Sequence, residues 1–352
     1  MFATRFLRPA SSAFAPRAAR CMGTDCATAV SSLTGRSLLS IDDLSTAELK
    51  GLLALSAELK AAFKADDAAA GARLPLRAKS AAMIFQKRST RTRVSTETGM
   101  ALLGGHALFL GPGDVQLGVN ESLKDTAIVL SRFNSVVMAR VFGHADVTEL
   151  AAEATVPVVN MLSDLHHPLQ ALADLMTLQE AFGEDLAGRT VAWVGDGNNV
   201  LHDLALGAAH LGVGVRVARP DGYEPDAAVM ARVAALSRDS GAPAPVETTK
   251  PMEAVPGADV VVTDTWISMG QEEDSKSRLA AFDGYQVDAK MMAAAAPGAV
   301  FLHCLPRHPE EVSDEVFYSP QSLVFQEAEN RMWTVMAVVL AQLGKVRAFS
   351  SG

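Results

Sequence analysis

Ala81-Ala82-Met83-Ile84-Phe85 runs directly into Gln86-Lys87-Arg88-Ser89-Thr90-Arg91-Thr92-Arg93, which runs into Val94-Ser95-Thr96-Glu97-Thr98-Gly99-Met100-Ala101-Leu102-Leu103. A short apolar run, a polar loop and a helix-length segment, in that order, read as a strand, a loop and the N-terminus of a helix. From Lys87 to Arg93 the loop holds four cations and three hydroxyls and no acid. Free backbone N–H groups at a helix start, the positive end of its dipole and short hydroxyl side chains together suit a phosphate dianion. Arginines add charge-assisted bonds that can be bidentate. The competing reading is a solvated basic loop. Placement at the carboxyl end of a buried strand favours the ligand site, because that is where α/β sheets bind ligands.

Outward from this stretch the same alternation continues. Strands are expected at 107–110, 135–141 and 156–161, with helices at 121–133 and 147–154 between them. Short apolar runs alternating with helix-length segments indicate parallel strands joined by crossover helices. A helix over 168–182 follows, with Leu169, Leu172, Ala173 and Met176 on one face and Pro168 in its first turn. A second series then begins, with strands at 190–194, 214–218, 259–263 and 299–302 and helices near 199–211 and 226–240. Upstream of the basic loop, helical segments span 41–64 with Ser40 or Ser45 as caps. The last helix, about 326–343, carries Met332, Val335, Met336, Val339, Leu340 and Leu343 at helical spacing, a stripe suited to core or interdomain packing. The fold class is therefore α/β, and the length suggests two domains.

Residues 1–36 differ in composition from the rest. Arg5, Arg8, Arg17, Arg20 and Arg36 stand among Ala, Ser and Phe, and Asp25 is the only acid. An arginine-rich, serine-containing, acid-poor N-terminus without a continuous apolar core has the character of a mitochondrial transit peptide. Without it the body holds 26 basic and 39 acidic residues, a balance that argues against non-specific binding of nucleic acid or anionic membrane. Cys21 and Cys26 leave with the segment and Cys304 remains, so no intrachain disulfide is expected, which suits a reducing compartment such as the mitochondrial matrix. No apolar run is long enough for a transmembrane segment.

Chemistry-bearing residues collect at the expected strand ends. Val194-Gly195-Asp196-Gly197-Asn198-Asn199-Val200 resembles half of a dinucleotide fingerprint, but the third glycine position is Val200 and no suitable acid follows, so no nucleotide cofactor is expected. The turn is then either a tight βα turn or a place where Asn199 offers its amide to a carboxylate. His167 and Gln170, three residues apart, share one face of a first helical turn and can polarise a carbonyl, or His167 is simply a satisfied histidine. Asp264, directly after a strand and four residues before Ser268, is either a receiver of an ammonium group or a helix cap. Cys304, beside His303 at another strand end, is packing or part of the site. Arg331 is a solvated charge or an anion ligand. Four strand ends thus offer anion, carbonyl and ammonium partners in one register.

Ser-Thr-Arg-Thr-Arg at 89–93, His-Pro-Leu-Gln at 167–170, Asp-Thr-Trp-Ile-Ser-Met-Gly at 264–270, His-Cys-Leu-Pro at 303–306 and Glu-Asn-Arg at 329–331 resemble the ornithine carbamoyltransferases. The first two motifs are shared with aspartate carbamoyltransferases, whereas the third and fourth are of the ornithine type. The resemblance covers roughly residues 37–343. It implies two α/β domains, each a parallel sheet flanked by helices, with the active site in the cleft between them. The divisions are a leader at 1–36, a carbamoyl phosphate-binding domain at 37–168, an ornithine-binding domain at 169–325 and a C-terminal helix at 326–345 that packs back on the first domain. It also implies a homotrimer and transfer of the carbamoyl group of carbamoyl phosphate to L-ornithine, giving L-citrulline and phosphate, as in arginine biosynthesis and the urea cycle.

Carried over position by position, Ser89, Thr90, Arg91 and Thr92 hold the phosphate with Arg140. His167, Gln170, Arg331 and the Cys304-Leu305 region surround the carbamoyl group. Asn199 and the Met269 amide take the ornithine carboxylate, Asp264 and Ser268 its α-ammonium, and Gln116 reaches a neighbouring subunit. Neither metal nor other cofactor is expected. The alternatives are a carbamoyltransferase for another amine, such as aspartate or putrescine, and an inactive binding protein on the same fold.

Overall fold

The computed structural model describes residues 24–65, 73–115, 121–267 and 274–350. Two all-parallel sheets organise them. The first has the order β2-β1-β3-β4, from β1 (Ser80–Phe85), β2 (His106–Leu110), β3 (Val136–Arg140) and β4 (Val158–Leu162). The second has the order β7-β6-β5-β8-β9, from β5 (Thr190–Val194), β6 (Gly214–Ala218), β7 (Val246–Thr248), β8 (Val260–Thr263) and β9 (Val300–His303). Helices supply the crossovers that parallel pairing requires. They include α1 (Thr24–Ser31), α2 (Thr46–Lys64), α3 (Thr90–Leu102), α4 (Leu123–Phe133), α5 (His144–Glu153), α6 (Pro168–Phe182), α7 (Asn199–His210) and α8 (Ala227–Ser240). Four short helices follow at Pro251–Ala254 (α9), Ser275–Ala281 (α10), Ala289–Ala294 (α11) and Asp314–Phe317 (α12), then α13 (Val324–Gln342) and α14 (Val346–Ser350).

The pleat divides each strand between two cores. Met83 and Phe85 of β1 enter a large central core, whereas Ile84 points to the opposite face with Val137, Val147 and Leu150. Val191 and Trp193 of β5 enter the same central core, while Ala192 and Val194 face Trp266, Phe282 and Phe301. Each sheet therefore covers both faces, as parallel sheets must. The central core is shared: it continues from the first sheet through α2, α6, α7 and α13 to the second. The apolar stripe of α13 lies in it, with Val335, Met336, Val339 and Leu340 at most 1% exposed. Each such side chain contributes about 1.5–3 kcal/mol by leaving water.

The expected helix at 168–182 and strands at 190–194 and 214–218 coincide with the observed elements. The strand Val246–Thr248 and the short helices had no legible pattern, because three to seven residues are too few to show a period. Ser40 and Ser45 both cap: each accepts a backbone N–H of the turn it opens, and Asp43 and Glu48 reach back in return. One boundary differs. The folded body takes in residues upstream of the expected division at 36, since Val30 and Leu33 are buried, Arg36 pairs with Glu48 at 2.5 Å and the Gly35 N–H donates to the Gln342 carbonyl. Composition marks this segment as basic and acid-poor, but burial depends on α2 and α13, which composition does not register.

Candidate active site

Strand order locates the site. In the first sheet the chain passes from β1 to β2 on one side and then to β3 on the other, so the crossovers diverge above the carboxyl ends of β1 and β3. In the second sheet they diverge above β5 and β8. Such switch points leave a crevice for a ligand. The two crevices open into one cleft of about 740 Å³, lined from the first sheet by the Lys87 to Thr92 loop and Arg140, and from the second by Asn199, Asp264, Cys304 and Leu305.

On the first side the loop is built as a helix start. Ser89 is the N-cap of α3: its hydroxyl accepts the Thr92 N–H at 3.4 Å and donates to Thr92 Oγ1 at 3.0 Å. The first turn carries no acid, so the helix end keeps its positive field. Arg91 Nη2 donates to the Leu305 carbonyl at 2.5 Å, bridging the two sides of the cleft. Leu305 presents that carbonyl from a left-handed φ of +63°, a conformation that costs a non-glycine residue and is typical of functional sites. Arg140 stands at a register shift where β3 meets β4. Arg331 of α13, 3% exposed, donates to Gln170 Oε1 at 2.7 Å and Thr92 Oγ1 at 3.1 Å.

These guanidinium groups crowd one another. Burial lowers the pKa values of Arg140 and Arg331 to about 10; repulsion by Arg331 and Arg91 adds to this at Arg140, while at Arg331 the nearby Cys304 and Asp174 oppose it and Arg91 reinforces it. Burial, then Arg331, Arg140 and Arg91, also hold His167 well below the usual histidine range, so its imidazole is neutral. His167 Nδ1, Arg140 Nε and Arg331 Nε are buried and make no hydrogen bond within the chain. Buried unpaired donors beside repelling cations are the electrostatic requirement of an anion site.

The second side carries the opposite sign. Asp264, 5% exposed, follows β8; its Oδ2 accepts from Asn198 Nδ2 at 2.9 Å and its Oδ1 from the Cys304 thiol at 2.8 Å. Burial, followed by Asp264, pushes the Cys304 thiol well above its ordinary pKa. His303 faces away: its Nδ1 accepts the Leu305 N–H and its Nε2 donates to Glu311, both at 2.9 Å. Asn199 lines the cleft and spends one amide N–H on the Ser163 carbonyl, leaving the other. Gly197 is a structural glycine, because a Cβ there would lie 2.2 Å from Pro225 N.

The fold thus brings together Ser89, Thr90, Arg91, Thr92, Arg140, His167, Asn199, Asp264, Cys304, Leu305 and Arg331 around one space. Gln170 lies just beneath it, 1% exposed, with its NH2 turned to acids below and its oxygen toward Arg331. That orientation makes it an acceptor toward the cleft rather than the donor read from its spacing with His167. Ser268, Met269 and Gln116 lie outside the described residues. Three participants were missed in the sequence. Asn198 caps α7 and orients Asp264; Glu311 fixes His303 and the Trp266 N–H; Arg278 donates to the Trp266 carbonyl and to Asp196. Only Asn198 left a signal, as a helix cap after a strand. Asp264, His303 and Cys304 bring three ligand-type atoms within 4.8 Å of one another, but His303 and Cys304 are committed to the bonds just described.

Two family models match the chain: "Aspartate/ornithine carbamoyltransferase, carbamoyl-P binding domain" over residues 36–180 and "Aspartate/ornithine carbamoyltransferase, Asp/Orn binding domain" over residues 187–342. The mitochondrial ornithine transcarbamylase of Gallus gallus is 55% identical over 312 residues, 88% of this chain and 86% of that one. The mitochondrial ornithine carbamoyltransferase of Schizosaccharomyces pombe is 50% identical over 310 residues, 88% of this chain and 94% of that one. Among solved structures, the ornithine carbamoyltransferase from Pyrococcus furiosus superposes with a TM-score of 0.85 at 46% identity, covering 89% of this chain and 98% of its own. That of a mitochondrial ornithine carbamoyltransferase from Coccidioides immitis gives 0.81 at 45% identity, covering 89% and 99%.

Proposed function

The chain belongs to the aspartate/ornithine carbamoyltransferase family, and from that premise we propose how its residues perform the reaction. The activity is that of an ornithine carbamoyltransferase: the carbamoyl group of carbamoyl phosphate passes to the δ-amine of L-ornithine, giving L-citrulline and phosphate. The observation that carries the assignment of roles is the polarity of the cleft, with Arg91, Arg140, Arg331 and a neutral His167 opposite Asp264.

Ser89, Thr90, Arg91, Thr92 and Arg140 take the phosphate, whose charge relieves the repulsion among the guanidinium groups. Arg331 and His167 donate toward the carbamoyl oxygen, and Gln170 and the Leu305 carbonyl accept from its nitrogen. Asp264 receives the α-ammonium of ornithine together with Ser268, while Asn199 and the Met269 amide receive its carboxylate. The neutral δ-amine attacks the carbamoyl carbon, and the tetrahedral oxyanion meets Arg91, Thr92 and His167 as donors already in place. A neutral imidazole suits this role, because it gives an N–H without a proton to lose to the incoming amine. The C–O bond to phosphate then breaks, and phosphate departs already paired with arginine, carrying the proton that the attacking nitrogen gives up.

The test is an assay of the purified protein with carbamoyl phosphate and a panel of amines, reading carbamoylated product and phosphate. Ornithine is the expected acceptor. Arg91→Ala should lose turnover while staying folded, at a cost of at least about 2–5 kcal/mol for a buried phosphate contact. Near-normal efficiency in the folded variant would refute the assignment of Arg91.

The protein is mitochondrial, in line with the names of its relatives. We place it in the matrix, delivered by the arginine-rich N-terminal leader, and as a homotrimer in which Gln116 reaches a neighbouring site. Sedimentation of the mature protein at about one subunit mass would exclude the trimer. The described helices include none long and apolar enough to cross a membrane.

A further inference from the structure

Beneath Gln170 and Arg331 lie two carboxyl groups that the reaction above does not use. Asp174 is one turn along α6 from Gln170, and Glu327 is one turn before Arg331 on α13; each is 1% exposed. Gln170 Nε2 donates to Asp174 Oδ1 and to Glu327 Oε1, both at 2.7 Å. Glu327 Oε2 accepts the His303 N–H at 3.0 Å, so the single Gln170 nitrogen bridges two carboxyl groups that lie side by side out of water. Arg331 directs its Nη atoms to Gln170 and Thr92.

An ionised carboxylate only accepts, so if both groups were ionised the single Gln170 NH2 would have to serve two buried charges at once. Two adjacent negative charges in a dry site are also strongly disfavoured. We propose that Asp174 and Glu327 hold one proton between them, and that this singly charged pair is a positioning device that orients Gln170, Arg331 and the end of β9 for carbamoyl transfer. The proposal rests on the carbamoyltransferase reading. Each contact has a direct consequence. Acceptor oxygens below force the Gln170 NH2 downward and its carbonyl oxygen toward Arg331 and the cleft; a flipped amide would set oxygen against oxygen. The bond to His303 N–H fixes the residue immediately before Cys304. A single negative charge offsets Arg331 in part, leaving its guanidinium able to serve an anion above.

The charged or titratable groups facing the pair are Arg331 from α13, Asp264 after β8 and Cys304 after β9. Burial pushes both acids up, Asp174 to about 7 and Glu327 well above the ordinary carboxylate range; Arg331 opposes this at Asp174, and Asp264 reinforces it at both. Proton loss above neutral pH would double the charge under Arg331 and draw it from carbamoyl phosphate.

The test is steady-state kinetics of the full chain from about pH 6 to about pH 9, resolving kcat from the KM for carbamoyl phosphate. In the wild type that KM should rise on the alkaline side. Asp174→Asn keeps one charge with no shared proton left to lose, so it should hold kcat within about tenfold and abolish the alkaline rise, while D174N/E327Q, with no charge, should lose at least about 100-fold in kcat/KM. An unchanged alkaline rise in D174N, or a loss equal at every pH, would overturn the proposal. Infrared spectroscopy needs no variant to fold: the wild type should show a protonated carboxyl C=O band at neutral pH that disappears as pH rises, and no such band would equally overturn it. Citrulline formation by the wild type is the control, since its absence refutes the carbamoyltransferase reading itself.

Discussion

Cys304 shows how neighbours in sequence can mislead about neighbours in chemistry. A cysteine beside a histidine invites the reading of a nucleophile with its base, and hence a carbamoyl-cysteine intermediate. Adjacent residues leaving a strand point to opposite sides, and here His303 is held by Leu305 N–H and Glu311 while the Cys304 thiol donates to Asp264 at 2.8 Å. Burial and the Asp264 charge keep the sulfur protonated, and the reactive form of cysteine is the thiolate. The acceptor amine needs no covalent relay once it is neutral. What it needs is a polar partner favouring that neutral form, since a free δ-amine is mostly protonated at neutral pH. We therefore expect Cys304→Ser to keep measurable activity with an altered pH profile, and initial-rate patterns to be sequential. Ping-pong kinetics, or a carbamoyl adduct on Cys304 after incubation with carbamoyl phosphate alone, would contradict this.

At the scale of elements, α1 and the segment after it form a strap across α2 and α13. Val30 packs so closely on α2 that a Cβ at Gly51 would lie 2.5 Å from Val30 Cγ2. Thr34 Oγ1 and the Gly35 N–H bond to the Ala341 and Gln342 carbonyls at the end of α13, and Arg36 joins Glu48, itself part of the cap of α2. Cleavage at 36 would remove Val30 and Leu33 together with these contacts and expose the apolar surface of α2 and α13 beneath them, forfeiting about 1.5–3 kcal/mol for each buried side chain. The expected mature N-terminus therefore lies upstream of Val30. N-terminal sequencing of the protein from its native source decides this, and recovery of a terminus at Ser37, or of an intact Met1, would refute it.

At the scale of the whole molecule, the site belongs to neither sheet alone. Arg91 and Thr92 follow β1, Asp264 follows β8, and the bond from Arg91 to Leu305 spans the cleft. Carbamoyl phosphate binding to the first side should help complete the ornithine site by drawing the second side onto it. Calorimetry should show ornithine binding weakly or not at all until a carbamoyl phosphate analogue is present. Equal ornithine affinity with and without the analogue would exclude this order.

The chain by itself determined the parallel α/β class and most of the element boundaries, because apolar periodicity and caps such as Ser40 and Ser45 are local properties, written within one turn or one strand. Its motifs also determined the family and the positions worth testing. The tertiary structure decided everything that depends on two distant segments meeting: the shared core that α13 completes, the strap of residues 24–36, the cap-and-clamp role of Asn198 on Asp264, and the burial that keeps His167 neutral. It decided, too, which way Gln170 faces. An amide can present either end, and only Asp174 and Glu327, brought beneath it by two different helices, make one orientation cheaper than the other.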